Sequence, residues 1–405
     1  MTNSSAVPIG ARAAFAAMHA ATLTARAVAT TGSRLGQRHE PPPLEGPLRV
    51  LMLATYPEQF TGTKYRLRMW AKRFESRGFT IDVAPTMYDR HSIRLSNDWS
   101  AGARSEFHLR MLLGRLRALQ HASAYHTVVI HVNDLPFWDV GPPFVAQSLR
   151  RLAGRVVLDL DDLPLVSQQK ELNAKARALG GAVDGLIVGN RSLPEKYPGR
   201  PWWFVPTCVE PAEWQVPDRS SRTGPPLLGW VGTAGNLRNL EPLSAMLAEL
   251  CRRHGTKVRI VCSEPARLPG VPEEFVQWSA PREQADVMPL DIGLAPLLDA
   301  PKQRYTCGLK ALQYMAAGLP VVASPVGAFP SIVRDAQTGL LASTPEEWFH
   351  ALDRLLTDPG LRLRMGAEGR RDVENRWSFA VHERTFEHGL RGVRPEKQPA
   401  VRTSS

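Results

Sequence analysis

Residues Cys307–Gly327, CGLKALQYMAAGLPVVASPVG, decide the fold. They predict a loop, a short helix beginning near Gly308, a Gly-Leu-Pro break, a buried strand and a second glycine turn. On that helix Leu309, Leu312, Met315 and Ala316 are set to face a core. Lys310, Gln313 and Tyr314 stand three and four residues apart and share another face. Gly318 is placed to end the helix, and Pro320 prevents its continuation. The VVAS run is short and β-branched, as expected of a central parallel strand. A cation and an amide are thereby presented beside a helix start, at the carboxyl edge of an α/β sheet. Such edges hold phosphorylated ligands.

Working outward, the same alternation recurs on both sides. RVLMLAT from Arg49 predicts a first strand, and YRLRMWAKRFESRG a helix ending at Gly78. IDVAPTM, TVVIHV, RVVLDLDD, GLIVGN and WWFVPT continue the series. LLGWVGT from Leu227 opens a second series, followed by KVRIVCS, FVQWSA, DIGLAP, PVVAS and GLLAS. Alternating β and α elements predict parallel sheets with helices on both faces. Between the two series, 208–226 is rich in Pro, Ser and Glu, lacks periodicity and reads as a linker. The expected organisation is a mobile tail (1–47), a first domain (48–207), the linker (208–226), a second domain (227–377), a last helix (378–391) and a mobile tail (392–405). The N-terminal tail is Ala-, Arg- and Pro-rich and lacks a secretory h-region; its composition also fits a transit peptide.

A length of 405 residues makes two domains the default. Apolar residues at 43% and charged residues at 22% suit a globular protein, and no apolar run is long enough to span a bilayer. The net charge of +11 has two readings: arginine spread over solvated faces, or attraction to nucleotide phosphates or an anionic membrane surface. Nucleic-acid binding is not expected, because zinc-ligand spacing, basic-aromatic interleaving and RNA-binding motifs are missing. Cys208, Cys251, Cys262 and Cys307 are dispersed, which fits free thiols in a reducing compartment. Neither a Ser–His–Asp elbow nor a P-loop is present.

The 307–327 stretch, with the sequence that follows it to Ser378, resembles the donor-binding signature of the family-4 glycosyltransferases (glycosyl transferases group 1). It is most similar to a divergent branch in which the usual EAM becomes QYM behind a Cys-Gly-x-Lys turn. The resemblance implies the GT-B fold: two doubly wound Rossmann-like domains with a cleft between them, the last helix crossing back to the first domain. It implies a hexosyltransferase that moves a sugar from a nucleoside-diphosphate-sugar to a hydroxyl or amine acceptor, with retention and without a cofactor or divalent metal. The acceptor would be a sugar, a lipid-linked molecule or a small molecule, in glycan, glycolipid or glycosylated-metabolite biosynthesis. A cytoplasmic location follows, with membrane association open.

The same resemblance assigns candidate residues. On the donor side are Gly232, Thr233 and Arg238 in GWVGTAGNLRNL, then Arg304, Tyr305, Gly308, Lys310, Gln313 and Gly327. Gly232 and Gly235 would let the backbone approach a ligand, with a helix start near Leu240 aimed at it. Thr233 stands where the family has an arginine, and Arg238 where it has a lysine. Lys310, helped by Arg304 or Lys302, would replace the missing cation. Tyr305 and Gln313 occupy the places of two glutamates that contact sugar and ribose, and Ser331 that of another. On the acceptor side are Gly62, Thr63, Lys64 and Arg66 in the first β-to-α turn, then His131, Asp159, Asp161 and Asp162. Asp159 and Asp161 are expected on one face and Asp162 on the other. Asp161 has three readings: an acceptor contact, a structural pair with Arg155 or Arg191, or a metal ligand. His131 is read equally as a site residue and as a hydrogen-bonded structural histidine. Catalysis would rest on Asp161, Lys310 and Arg238. A degenerate nucleotide- or glycan-binding subunit and a nucleotide-sugar epimerase remain as alternatives.

Overall fold

The structure is a computed structural model and describes residues 47–56, 58, 60–85, 101–135, 143–163, 172–220 and 223–395. The expected N-terminal tail lies outside these residues except at Pro47, as does the C-terminal tail beyond 395. The chain forms two compact units, one of Met1–Phe204 with Thr385–Ser405 and the other of Val205–Arg384.

The first unit is built on a six-stranded, wholly parallel sheet in the order β2-β1-β3-β4-β5-β6. Its strands are β1 (Arg49–Leu53), β2 (Thr80–Ala84), β3 (Thr127–His131), β4 (Arg155–Leu160), β5 (Gly185–Val188) and β6 (Trp202–Phe204). β3 and β5 are buried along their whole length, which is why their sequences run apolar without alternation. The order reverses between β1 and β3, whose register runs from Val50↔Thr127 to Leu53↔Ile130. Beyond Leu53 and Ile130 the two strands part.

The second unit repeats the plan: β7 (Leu228–Val231), β8 (Val258–Cys262), β9 (Glu273–Gln277), β10 (Ile292–Ala295), β11 (Val321–Ala323) and β12 (Gly339–Leu341). Its six parallel strands lie in the order β12-β11-β10-β7-β8-β9, reversing between β10 and β7. These are the two doubly wound Rossmann-like halves that the alternation predicts. Ligands of such sheets bind outside the carboxyl ends, where the order reverses. Local chemistry sets the helices: Thr344 and Glu347 form a reciprocal capping box for Pro345–Thr357, and Gly255, at φ +60°, ends Ser244–His254.

The 208–220 stretch is not a loose connector but is strapped to the second unit. Arg219 donates to the carbonyls of Met288, Leu290 and Ala317. Arg370 donates to those of Pro211, Trp214 and Ala316. Two guanidinium groups thus bind six backbone carbonyls that lie outside the strands. Aperiodic sequence hides this order, because the bonds are made by residues distant along the chain.

The last helix, Phe379–Arg391, returns to the first unit from Thr385 onward. Phe386 is fully buried and stacks on Trp70 at 4.3 Å, with Phe74 at 5.7 Å. The Leu390 and Gly389 carbonyls accept from Thr127 and Arg155. Among the described residues no helix is long and apolar enough to cross a membrane. Phe386→Ala is expected to destabilise the first unit by about 3–5 kcal/mol, since it empties an aromatic stack that cannot collapse around the gap. Urea unfolding followed by tryptophan fluorescence checks this; a loss below about 1 kcal/mol would show that the returning helix is not part of that core.

Candidate functional site

At the carboxyl edge of the first sheet, the parting of β1 from β3 is filled by polar side chains. Thr55 donates its hydroxyl to the carbonyls of His131 and Asn133. Arg115 donates to those of Ala54 and Asp134, at 2.8 and 2.9 Å. Val132 sits between, at φ +60°, and the Asn133 amide donates to the His131 carbonyl across it. A β-branched residue in the left-handed region is strained, and such strain collects at functional sites.

His131 and Asp159 are register partners on β3 and β4. Arg66, on the helical segment 61–75, binds Asp159 with two bonds, Nε to Oδ2 at 3.1 Å and a terminal nitrogen to Oδ1 at 2.5 Å. Both side chains are wholly buried. The helix makes a π turn over Lys64–Arg68, and Tyr65, Arg66 and Leu67 are all buried there. This changes the reading of two acceptor-side candidates, since Arg66 and Asp159 are spent on each other; the structural partner of Asp161 is His131, where Arg155 or Arg191 was expected. Arg155 donates to the Gly389 carbonyl and lies over Trp203, and Arg191 lies over Phe204. Sequence separation of 93 residues concealed the pair.

Asp161 behaves differently. Its Oδ1 lies 3.1 Å from His131 Nε2, and its side chain keeps 19% of its exposure while that of His131 has none. Burial pushes the Asp161 carboxyl up, but His131, with Arg66 behind it, outweighs burial and holds it below its ordinary value. His131 is therefore both structural and adjacent to the edge. Tyr56, a residue that sequence reasoning missed, meets the His131 ring edge-on at 5.8 Å. Burial and the negative charges of Asp161 and Asp162 raise its phenol pKa. Gly62 explains itself here: a Cβ would stand 3.0 Å from the His131 ring and 3.2 Å from that of Tyr56. Thr63 donates to the Tyr56 carbonyl, Lys64 lies over the Tyr65 ring, and Asp162 accepts from the Leu163 amide. Gly62, Thr63, Arg66, His131, Asp159 and Asp161 thus cluster around one edge.

In the second unit the helix Leu309–Ala316 follows Gly308, which is left-handed at φ +73°. The two-faced helix of the sequence reading is corrected: every residue from Ala311 to Ala316 is buried. Gln313 is only 4% exposed and donates to Glu283 Oε1 at 2.7 Å. Glu283, itself buried, gave no signal in sequence. Tyr314 is fully buried, with its phenol at the parting of β7 and β10. Of the three, Lys310 alone is only partly buried. Its Nζ lies 4.6 Å from the centroid of the buried Trp230 ring and makes no ion pair among the described residues. Burial pushes its ammonium down to about 8, with Cys262 acting in the opposite sense.

The remaining donor-side candidates surround this group loosely. Gly232 is packed beside Trp230, where a Cβ would come 2.5 Å from the indole. Thr233 is exposed and accepts from the Asn236 amide. Arg238 is exposed, in the last turn of the 3-10 helix Ala234–Asn239. The regular helix begins at Ser244 rather than near Leu240, because a second 3-10 turn, Glu241–Leu243, with Pro242 inside it, intervenes. Arg304 pairs with Asp299 at 3.2 Å, both exposed. Tyr305 is buried, and Gly327, at φ +63°, packs on the 303–306 turn. Ser331 is exposed. Among the described residues no group of three or more His, Cys, Asp or Glu side chains is placed to hold a metal ion.

Both units have the GT-B plan, and solved structures share it. Sucrose-phosphate synthase from Thermosynechococcus elongatus superposes with a TM-score of 0.62 at 13% identity, over 85% of this chain and 99% of that one. HepE from Anabaena, solved with UDP and glucose, gives 0.61 at 11% identity, over 85% of this chain and 100% of that one. At such identities the likeness is one of fold. The sequence goes further: residues 225–358 match the family of glycosyl transferases group 1. The chain thus has the GT-B fold, and the 225–358 stretch of its second unit is similar to the group 1 glycosyltransferases. D-inositol 3-phosphate glycosyltransferases are similar to it as well. That of Corynebacterium jeikeium is 30% identical over 195 residues, 43% of this chain and 46% of that protein. That of a Nocardioides species is 30% identical over 214 residues, 51% of this chain and 41% of that protein. The matched stretch therefore spans less than half of each of these relatives. Every donor-side candidate falls within 225–358, and every acceptor-side candidate outside it.

The buried Arg66–Asp159 pair yields a test of what holds the first edge together. Arg66→Met leaves a buried carboxylate without its cation and is expected to cost about 3–5 kcal/mol. Adding Asp159→Leu removes the stranded charge and should recover most of that loss. Urea titration of the single and double variants measures both steps; a double variant no more stable than the single one contradicts the pairing.

Proposed function

We propose that this protein is a glycosyltransferase that moves a sugar from a nucleoside-diphosphate-sugar to a hydroxyl or amine acceptor. The observation that carries this reading is Lys310, a partly buried ammonium beside the parting of the second sheet, with a tryptophan face under it and no ion pair among the described residues. A buried cation without a counter-ion is costly, and a diphosphate is the anion such an edge accommodates. As the bond from the anomeric carbon to the diphosphate breaks, negative charge grows on the leaving oxygen. Lys310 is placed to stabilise that charge, and the exposed Arg238 is free to swing toward the same phosphates. Retention of configuration and independence of metal belong to the same proposal, as does membership in family 4.

On the acceptor side the proposal assigns Asp161. Because His131 and Arg66 keep its carboxyl ionised, it is a weak proton acceptor at neutral pH. Orienting an acceptor hydroxyl, or pairing with an acceptor amine, suits it better than abstracting a proton. A second reading, a nucleotide-binding subunit without transfer, is favoured by one observation: the Gln313 amide is engaged by Glu283.

Two experiments follow. Affinity for UDP, ADP and GDP, measured by calorimetry from about pH 7 to about pH 9.5, should be level below about pH 8 and then fall for the diphosphate that binds. The free Lys310 loses its proton above about 8, so binding must then take one up, which costs up to about tenfold per pH unit. Lys310→Met should abolish both the affinity and its pH dependence; unchanged affinity in that variant rejects the donor site.

Asp161→Asn should bind the same diphosphate within about twofold of the parent, since every donor-side residue lies in the other unit. Donor turnover with a panel of sugar and amine acceptors should fall by about a hundredfold. Normal turnover would make Asp161 a purely structural partner of His131.

A further inference from the structure

β7 and β10 share register only at Leu228↔Ile292 and Gly229↔Gly293. Past that point Val231 on one strand and Leu294 on the other have backbone groups facing a gap. Tyr314 fills it. The Val231 amide donates to the phenol oxygen at 2.8 Å, and the phenol donates onward to the Leu294 carbonyl at 3.4 Å. A hydroxyl carries one donor and two acceptor sites, so one side chain stands in for two missing ladder contacts. The slot for its ring is Gly293, where a Cβ would lie 2.3 Å from the ring.

Lys310 is four residues earlier on the same helix and therefore lies on the same face, one turn nearer the edge. Trp230, under the Lys310 ammonium, adjoins Val231, the residue bonded to the phenol. Tyrosine and lysine thus dock on consecutive residues of one strand. We propose that Tyr314 is a positioning residue for Lys310: its phenol, wedged into the parting of β7 and β10, fixes where the 309–316 helix sits and so where its ammonium stands. The inference rests on the donor-site reading of Lys310. Displacements of about 1 Å at a charge-stabilising group are enough to lower rates by about a hundredfold, so a helix pinned by one hydroxyl matters to turnover. A phenylalanine would fill the same volume but could not hold both strands.

Tyr314→Phe separates these roles. Acylation of Lys310 by the N-hydroxysuccinimide ester of acetate, followed against pH by peptide mass spectrometry, reads the place of the ammonium directly. Among the described residues, Cys262 at the end of β8 is the titratable group that bears on it. In the parent the midpoint is expected near 8. In Tyr314→Phe it should move by at least about one pH unit toward the ordinary lysine range. Affinity for whichever of UDP, ADP and GDP the parent binds should fall about tenfold, with the variant still folded by circular dichroism. A folded variant with the midpoint unchanged overturns the proposal. If the parent binds none of the three, the donor reading fails, and the acylation midpoint still decides the role of Tyr314. If the variant does not fold, hydrogen exchange in the parent decides instead. A Val231 amide protected like those of the β8 ladder supports the wedge, and one exchanging at loop rates refutes it.

Discussion

Where a parallel sheet reverses its winding order, two neighbouring strands must part, and the backbone groups along the parting lose their ladder partners. Both units of this protein meet that constraint with polar side chains. In the first, the Thr55 hydroxyl and the Arg115 guanidinium take up the carbonyls of Ala54, His131, Asn133 and Asp134. In the second, the Tyr314 phenol takes up the Val231 amide and reaches the Leu294 carbonyl. The two residues to which the proposed function assigns chemistry, Asp161 and Lys310, lie after β4 and at the start of the 309–316 helix.

The two edges treat charge in opposite ways. In the first unit Arg66 neutralises Asp159, and His131 supports Asp161, so burial of acids is compensated from within. In the second unit the Lys310 ammonium lies over the Trp230 face with no ion pair among the described residues, and burial loosens its hold on its proton. A compensated edge gains rigidity; an uncompensated one retains affinity for an anion at some cost to stability. Under the proposed function the first unit orients the acceptor and the second takes the diphosphate, in line with this contrast.

Several departures from the usual group 1 pattern acquire a physical sense in three dimensions. The tyrosine in QYM is large where the pattern has alanine, and Gly293 supplies the room that it needs. Gln313 stands where a glutamate is usual, and Glu283 brings a carboxylate to it from another helix. Val132, no part of that pattern, likewise keeps an unfavourable backbone angle because Thr55 and the Asp159 carbonyl hold both sides of its turn. Such compensations couple residues that no local window contains.

Alternation of apolar runs with helical stretches was enough to place the twelve strands of the described residues, most directly the central ones, because a strand buried on both faces must be continuously apolar. The glycine turns and the lysine after Gly308 were legible for the same local reason: turn conformations and edge positions are written in a few adjacent residues. Partners were not. Arg66 could be read as a free cation and Asp159 as a free acid until the fold set them side by side, and Gln313 as exposed until Glu283 covered it. Helical spacing placed Lys310, Gln313 and Tyr314 on neighbouring positions, but their three fates were decided by what each met: an indole face, a buried carboxylate and the gap between two strands. Periodicity records which way a side chain points relative to its own backbone. What it meets there depends on chain segments far away in sequence, and only tertiary packing brings those into contact.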